Sequence, residues 1–424
     1  MYLFLFIITV FFFFLINFYL SKEDIFSPIV MTCLSILIGG FFLVLGGRNW
    51  NFEMLDLTCI VCFWGLLAIT IGNLLSRPYM NKVKSKQHYI LVPKRNYVLI
   101  SSIISVAFTI LYGINAFWVG LKAGGSGLNA FGYMKAVYLG EISGPRMNPI
   151  VRQCFKFVMA IAYVNSFYLI NNMIIRNRCR LGETIPLCLS VFSAVCITIF
   201  SGSRTEILRL FSSFVIVFSV LIREKRNWPA NINKKTGRLI IKKMLLPFIL
   251  VVVIVYITKS MVKTNNVATS NIDSLIDYVS FYVGSPLAVL NAKIGMAFKN
   301  ASLLLANETS RSIAGSHVYL GNLDYGGNVS SLFCIIFSGG LILMMCRFII
   351  VFCMFETFYR SFIIKSFGNK KRDILLLVFS MMYFIFVEAF YSYNVGLSVD
   401  FSSMIIIILT CGYFIISSNY KRLC

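Results

Sequence analysis

The run Ile185 to Phe200 is almost entirely apolar, Ser201-Gly202-Ser203-Arg204-Thr205-Glu206 is polar, and Ile207 to Ile222 is apolar again apart from Arg209. A bilayer core is crossed by roughly 17–25 apolar residues in a helix. The stretch therefore predicts two membrane helices joined by a tight turn. Ser203 followed three residues later by Glu206 is a capping-box pattern that marks a helix start. Arg204 then falls in the first helical turn, beside free backbone N–H groups that suit an anion such as a phosphate. The plainer reading is that Arg204 anchors a helix end among lipid headgroups.

The rest of the chain extends this pattern. Its 424 residues are 58% hydrophobic and include 40 Phe and 21 Tyr. Soluble domains do not hide that much apolar surface, so the composition predicts an all-α, polytopic transmembrane helix bundle forming a single integral-membrane domain. About eleven spans are expected, with cores near 2–20, 28–46, 55–74, 97–120, 155–175, 184–201, 206–222, 244–261, 330–355, 374–391 and 401–417. The net charge of +23 does not point to nucleic acid, because the basic residues sit in short loops between spans.

Those loops set an expected orientation. Basic stretches near 76–96, 176–183, 223–243 and 359–373 alternate with the spans and are assigned to the cytoplasm. The C-terminal Lys421-Arg422 follows them, and the N-terminus falls on the outer side. Two long loops, about 122–150 and 262–329, then face outward together with the Ser201–Glu206 turn. None of the basic loops carries a Gly-rich phosphate loop or an acidic pair for a metal–nucleotide, which directs any chemistry to the outer face. Cys59 and Cys62 form a lone C-x-x-C inside an apolar span, so neither a metal site nor a cofactor is expected.

Within the second long loop, Ser270 and Asp273 mark a helix start, and Ser285-Pro286 reads as the N-cap and first residue of another. Two amphipathic helices lying on the outer surface are thus expected to roof a cavity. Among outward ionisable groups, arginine suits bidentate phosphate recognition. Arg146 and Arg152 straddle the start of a span. Glu206 and Arg209, three apart, are placed to pair. Glu388 lies near the outer end of its span and needs a partner, for which an outer arginine is the natural choice. His317, one of two histidines, is a candidate general base or an inert surface group.

Together with the span count and the large outer loop, the turn Phe200-Ser201-Gly202-Ser203-Arg204 and, more loosely, the segment Tyr278 to Pro286 resemble the Wzy-type O-antigen polymerases of bacterial inner membranes. The resemblance implies glycosyl transfer at the periplasmic face. A glycan on undecaprenyl pyrophosphate is the donor, one lipid-linked repeat unit is the acceptor, and lipid pyrophosphate leaves. The resemblance carries over Arg204 alone; the reading of the outer residues sets the candidate pyrophosphate site among Arg204, Arg146, Arg152, Arg209 and Arg311, and a base among His317, Asp277 and Glu141. Ser203, Glu206, Tyr278 and Glu388 are supporting residues. The implied partners are lipid-linked oligosaccharides, membrane lipids and the pathway's chain-length regulator and flippase. A ligase that moves finished polymer, or a flippase or exporter of the lipid-linked unit, is the competing expectation.

Overall fold

The computed structural model describes residues 2–47, 52–77, 89–177, 180–203, 205–226, 249, 253, 275–298, 302–316, 318–320, 323–324, 331–364, 370–395 and 400–422. It is a helix bundle. In chain order the helices are α1 (Tyr2–Leu20), α2 (Pro28–Gly47), α3 (Asp56–Leu75), α4 (Arg95–Lys122), α5 (Ala130–Leu139), α6 (Pro149–Ile174), α7 (Leu181–Phe200) and α8 (Thr205–Lys225). They continue as α9 (Leu275–Phe298), α10 (Glu308–Ala314), α11 (Ile336–Phe358), α12 (Lys370–Met382), α13 (Phe384–Val387) and α14 (Phe401–Ser417). Among the described residues, eight segments are long and apolar enough to cross a membrane: α1 to α4, α6 to α8, and Leu332–Ile364, which contains α11. Eight expected spans thus correspond to long helices. Phe401–Ser417 is a shorter apolar helix, and 244–261 lies outside the described residues apart from 249 and 253.

α1 shows how such a helix is seated. Its buried residues, Phe6, Val10, Phe13 and Asn17, form one stripe at spacings of four, three and four, while Phe4, Phe11 and Phe12 are exposed. The apolar surface outside the stripe suits lipid, and Asn17 closes the stripe with a polar contact. Its Nδ2 donates to Thr70 Oγ1 at 2.8 Å, and Asn73 Nδ2 donates to Asn17 Oδ1 at 2.9 Å, both from α3. α6 is enclosed on almost every face from Val158 to Ile170 and packs on α4, α7, α8 and α14.

Two expectations are corrected. Ser285-Pro286 does not start a helix, because α9 runs unbroken from Leu275 to Phe298 with Pro286 inside it. Pro286 removes one backbone donor, and the Ser285 hydroxyl bonds the Phe281 carbonyl one turn back. Packing carries the helix through the proline. Gly284 meets the backbone of Phe42 and Leu43, Gly39 of α2 faces the Val283 carbonyl, and Leu287 to Leu290 are fully buried. α9 is therefore a helix buried within the bundle against α2, not an amphipathic surface roof.

The span expected at 374–391 is also not continuous. α12 ends at Met382, α13 is a single turn, and residues 388–392 form successive turns. Backbone groups at this break are met by neighbours. Ser331 N donates to the Tyr391 carbonyl and Leu332 N to that of Ala389, each at 2.9 Å, and Ser35 Oγ donates to the Val387 carbonyl at 2.8 Å. α11 is interrupted as well. Gly340 takes φ +76°, and its Cα approaches the 304–306 backbone so closely that a Cβ would lie 2.5 Å from the Leu304 carbonyl oxygen.

The described residues that flank the basic loops meet at one end of the bundle. There β1 (Tyr89–Pro93) pairs antiparallel with β2 (Ser418–Arg422), which ties the start of α4 to the end of α14. The loop charges at this end are not all solvated. Arg223 is ion-paired to Asp24 at 2.6 Å, Arg360 to Glu356 at 2.8 Å and Arg372 to Glu224 at 2.9 Å, with all six residues buried.

Candidate functional site

The opposite end is organised by the turn between α7 and α8. α7 closes with a Schellman arrangement, in which Ser203 N donates to the Thr198 carbonyl at 3.1 Å and Gly202 N to that of Ile199 at 2.9 Å. Gly202 has φ +67°, the left-handed value that this motif asks of its C′ residue. Above the turn lies α5. Lys135 Nζ donates to the Gly202 carbonyl at 2.6 Å, and Phe131 stacks on Phe200 with ring centroids 5.0 Å apart. The lysine offsets the negative end of α7 and fixes the loop that carries α5 to the turn.

α8 begins at Thr205, so the helix start implied by Ser203 and Glu206 falls within a residue or two of its place. Ser203 is half-buried in the turn, and Arg204 lies outside the described residues. One helical turn on, Arg209 Nη1 donates to Glu206 Oε1 at 2.6 Å, as their spacing predicts. The guanidinium carbon also sits 4.2 Å from the centroid of the Phe384 ring. That cation–π contact holds the plane of Arg209 against α13, at the break in the tenth expected span.

Glu388 caps that break. It is 2% exposed, and Asn394 Nδ2 donates to its Oε2 at 3.0 Å. Its other oxygen, Oε1, is buried with no hydrogen-bond partner among the described residues, and so is Nε of Arg209. The charges of Arg209 and Glu206 both act on Glu388, and all three act on Tyr163, which is buried on α6. Asp400, the N-cap of α14 through its bond from Ser403 N at 2.8 Å, bears on Glu206. Direct contacts thus join α8, the α13 break and residue 394 in one polar group, whose charges reach Tyr163 on α6 and Asp400 at the start of α14.

The remaining sequence candidates are distributed elsewhere. Arg152 is exposed at the start of α6, where its Nη2 donates to Tyr138 Oη at 2.9 Å and its guanidinium lies 4.5 Å from that ring centroid. Arg146 and Glu141 are exposed in the loop between α5 and α6. Asp277 is exposed at the first turn of α9, whereas Tyr278 is buried with its ring 4.8 Å from that of Tyr282. Arg311 is exposed on α10, and His317 lies outside the described residues. Of the twelve sequence candidates, Glu206, Arg209 and Glu388 are brought together, next to Ser203 in the turn.

Tyr163, Phe384, Asn394 and Asp400 complete the group and were not singled out from the sequence. Tyr163 lies within a long apolar run, and Asn394 and Asp400 follow the span with no periodic pattern to mark them. The chain matches no known family profile, no characterised protein and no solved structure.

Proposed function

We propose that this membrane protein polymerises undecaprenyl-pyrophosphate-linked oligosaccharide repeat units at the periplasmic face of a bacterial inner membrane. In this reading the basic end is cytoplasmic, and the N-terminus and the α7–α8 turn face the periplasm. One observation carries the reading: among the described residues, a buried carboxylate with an open oxygen, Glu388, feels the charge of an arginine with an open donor, Arg209. Glycosyl transfer from a lipid pyrophosphate requires those two groups. An arginine offsets the charge that develops on the departing pyrophosphate, and a carboxylate takes up the proton of the attacking hydroxyl. Arg204, Arg209 and Lys135 supply the cationic side, and the membrane supplies the donor and acceptor already anchored by their lipids.

Deleting the protein and separating the cell's surface polysaccharide by length tests the reading. Loss of a polymerase leaves single repeat units where a ladder stood, and an intact ladder refutes it. Within that test, Arg204→Ala abolishes the ladder while the protein still accumulates in the membrane.

The interrupted helices favour a second reading, transport of the lipid-linked unit. Transporters build midplane sites from broken helices, and α11 is broken at Gly340 and the α12–α13 segment at Tyr383. Loss of every unit from the surface, single ones included, in the deletion strain assigns the protein to transport or ligation.

A further inference from the structure

We infer that Glu388 is the proton acceptor for the incoming sugar hydroxyl, with Nε of Arg209 as the donor to the departing pyrophosphate. This rests on the polymerase reading and assigns roles within its site. The argument starts from the two orphaned atoms. A buried carboxylate oxygen or guanidinium N–H left without a partner costs free energy, and native proteins rarely tolerate one without a reason. Here an acceptor, Glu388 Oε1, and a donor, Arg209 Nε, are open in the same group of charges. A ligand that satisfies both must present a donor hydrogen to the first and an acceptor oxygen to the second, and an anionic oxygen is the stronger acceptor for a guanidinium. A sugar hydroxyl beside a glycosyl pyrophosphate has that composition.

The surroundings fix both groups. Asn394 holds Glu388 Oε2, which aims the carboxylate and leaves Oε1 as its reactive edge. Glu206 and Phe384 hold Arg209 by an ion pair and by its ring face, leaving Nε for a further acceptor. The backbone around Glu388 is irregular. Non-helical backbone at membrane depth is found where it is buried in protein or lines a cavity, and broken helices are a common setting for binding sites.

The step balances as follows. The acceptor's hydroxyl oxygen bonds the anomeric carbon of the donor glycan as its proton passes to Glu388 Oε1. The bond from that carbon to the pyrophosphate oxygen breaks, and its electron pair leaves on lipid pyrophosphate, which receives the hydrogen bond from Arg209.

The test uses the full-length protein in lipid nanodiscs with the undecaprenyl-pyrophosphate-linked repeat unit extracted from the deletion strain. Wild-type protein that does not lengthen this unit refutes the polymerase reading itself. If wild type does lengthen it, Glu388→Gln slows turnover by about 10²–10⁴-fold, the usual weight of a general base, while its Kd for the lipid-linked unit stays within about threefold. Wild-type turnover falls as pH is lowered and the carboxylate protonates. The charged and titratable groups around Glu388 that also shape this profile are Arg209 and Glu206 on α8, Tyr163 on α6 and, through Glu206, Asp400. Glu388→Gln loses the acidic limb, and Glu388→Asp, which keeps a carboxylate, recovers part of the rate and the limb. Undiminished turnover in Glu388→Gln overturns the assignment. So does parallel loss of turnover and binding in both variants, which is the mark of a structural carboxylate.

Discussion

The two ends of the bundle treat buried charge in opposite ways. At the basic end Asp24, Glu356 and Asp373 have both oxygens bonded. Asp24 receives Phe26 N on Oδ1 and both Arg223 and Tyr359 on Oδ2, and Asp373 receives Arg372 on one oxygen and Tyr420 on the other. Glu356 takes the Ser27 hydroxyl at 2.8–2.9 Å on both oxygens and Arg360 on Oε1. At the opposite end Glu388 is as deeply buried, yet half of its acceptor capacity is unused. A carboxylate with both oxygens bonded rigidifies the elements it joins, whereas one with an open oxygen keeps acceptor capacity. The difference in the carboxylates separates a clamp from a site: the basic end fastens the α1–α2 loop, α3, α8, the end of α11, α12 and β2 together, and the opposite end holds charge ready.

Breaking the clamp is expected to have the largest effect. Arg360 also donates to Asn73 Oδ1 at 2.6 Å and Ser76 Oγ at 2.8 Å, so its removal strands several buried acceptors along with Glu356. Arg360→Ala is expected to cost about 3–5 kcal/mol, the range for removing one partner of a buried pair. Size-exclusion profiles and melting curves of the detergent-solubilised protein should show the loss. A melting temperature equal to wild type would mean that the clamp does not hold the bundle.

Gly202→Ala comes next. An alanine at φ +67° costs roughly 1–2 kcal/mol, and its Cβ would lie 2.9 Å from Cδ of Lys135. The lysine chain can move aside, so the expected result is a folded protein whose α7–α8 turn is displaced. The measured sign is a modest drop in melting temperature with a disproportionate shortening of the polysaccharide ladder. Equal and small losses in both would detach the turn from the chemistry.

The same contrast explains what could be read from the chain. Long spans were legible because lipid leaves no alternative to an uninterrupted apolar helix, and α1 to α4 need little else. The pairing of Glu206 with Arg209 followed from helical spacing, whereas Glu388, expected to pair with an outer arginine, is bonded by Asn394 and feels Arg209 only through its charge. What stayed hidden depends on contacts between segments far apart in sequence. Pro286 signals a helix start by local rules, and only the approach of Gly284 to Phe42 and Leu43 shows why α9 ignores it. The apolar run through Phe386 and Val387 gives hydropathy no sign of a break, because Ser35 and Ser331 from other elements supply the backbone partners that allow it. At the basic end, Glu356 and Arg360 lie at readable i, i+4 spacing, but no pattern joins Asp24 to Arg223.

Lys135→Met should have a smaller effect. The residue is half-buried and gives up one charge-assisted bond to the Gly202 carbonyl, so about 1 kcal/mol is expected. The informative readout is protease cleavage in the loop between α5 and α6, which should quicken in the variant as α5 loosens from the turn. Unchanged cleavage would show that the Phe131–Phe200 stack and the packing of α5 on α4 hold α5 in place without the lysine.

The smallest stability effect, and the sharpest use of the comparison, comes from making one substitution at both ends. Glu356→Gln removes the charge that faces Arg360 at 2.8 Å, and a clamp that loses half of a buried pair is left with an uncompensated cation. Glu388→Gln keeps an amide oxygen to accept from Asn394 and removes a charge that already lacked a partner on one side. Its melting temperature should therefore stay near wild type, with a change of no more than about 1 kcal/mol, while Glu356→Gln falls well below it. Function should reverse the order. Glu388→Gln, folded and abundant, should support no ladder, whereas Glu356→Gln should keep whatever activity its surviving folded fraction allows. If Glu388→Gln melted as early as Glu356→Gln, the open oxygen would belong to a second clamp, and the distinction between the two ends would be lost.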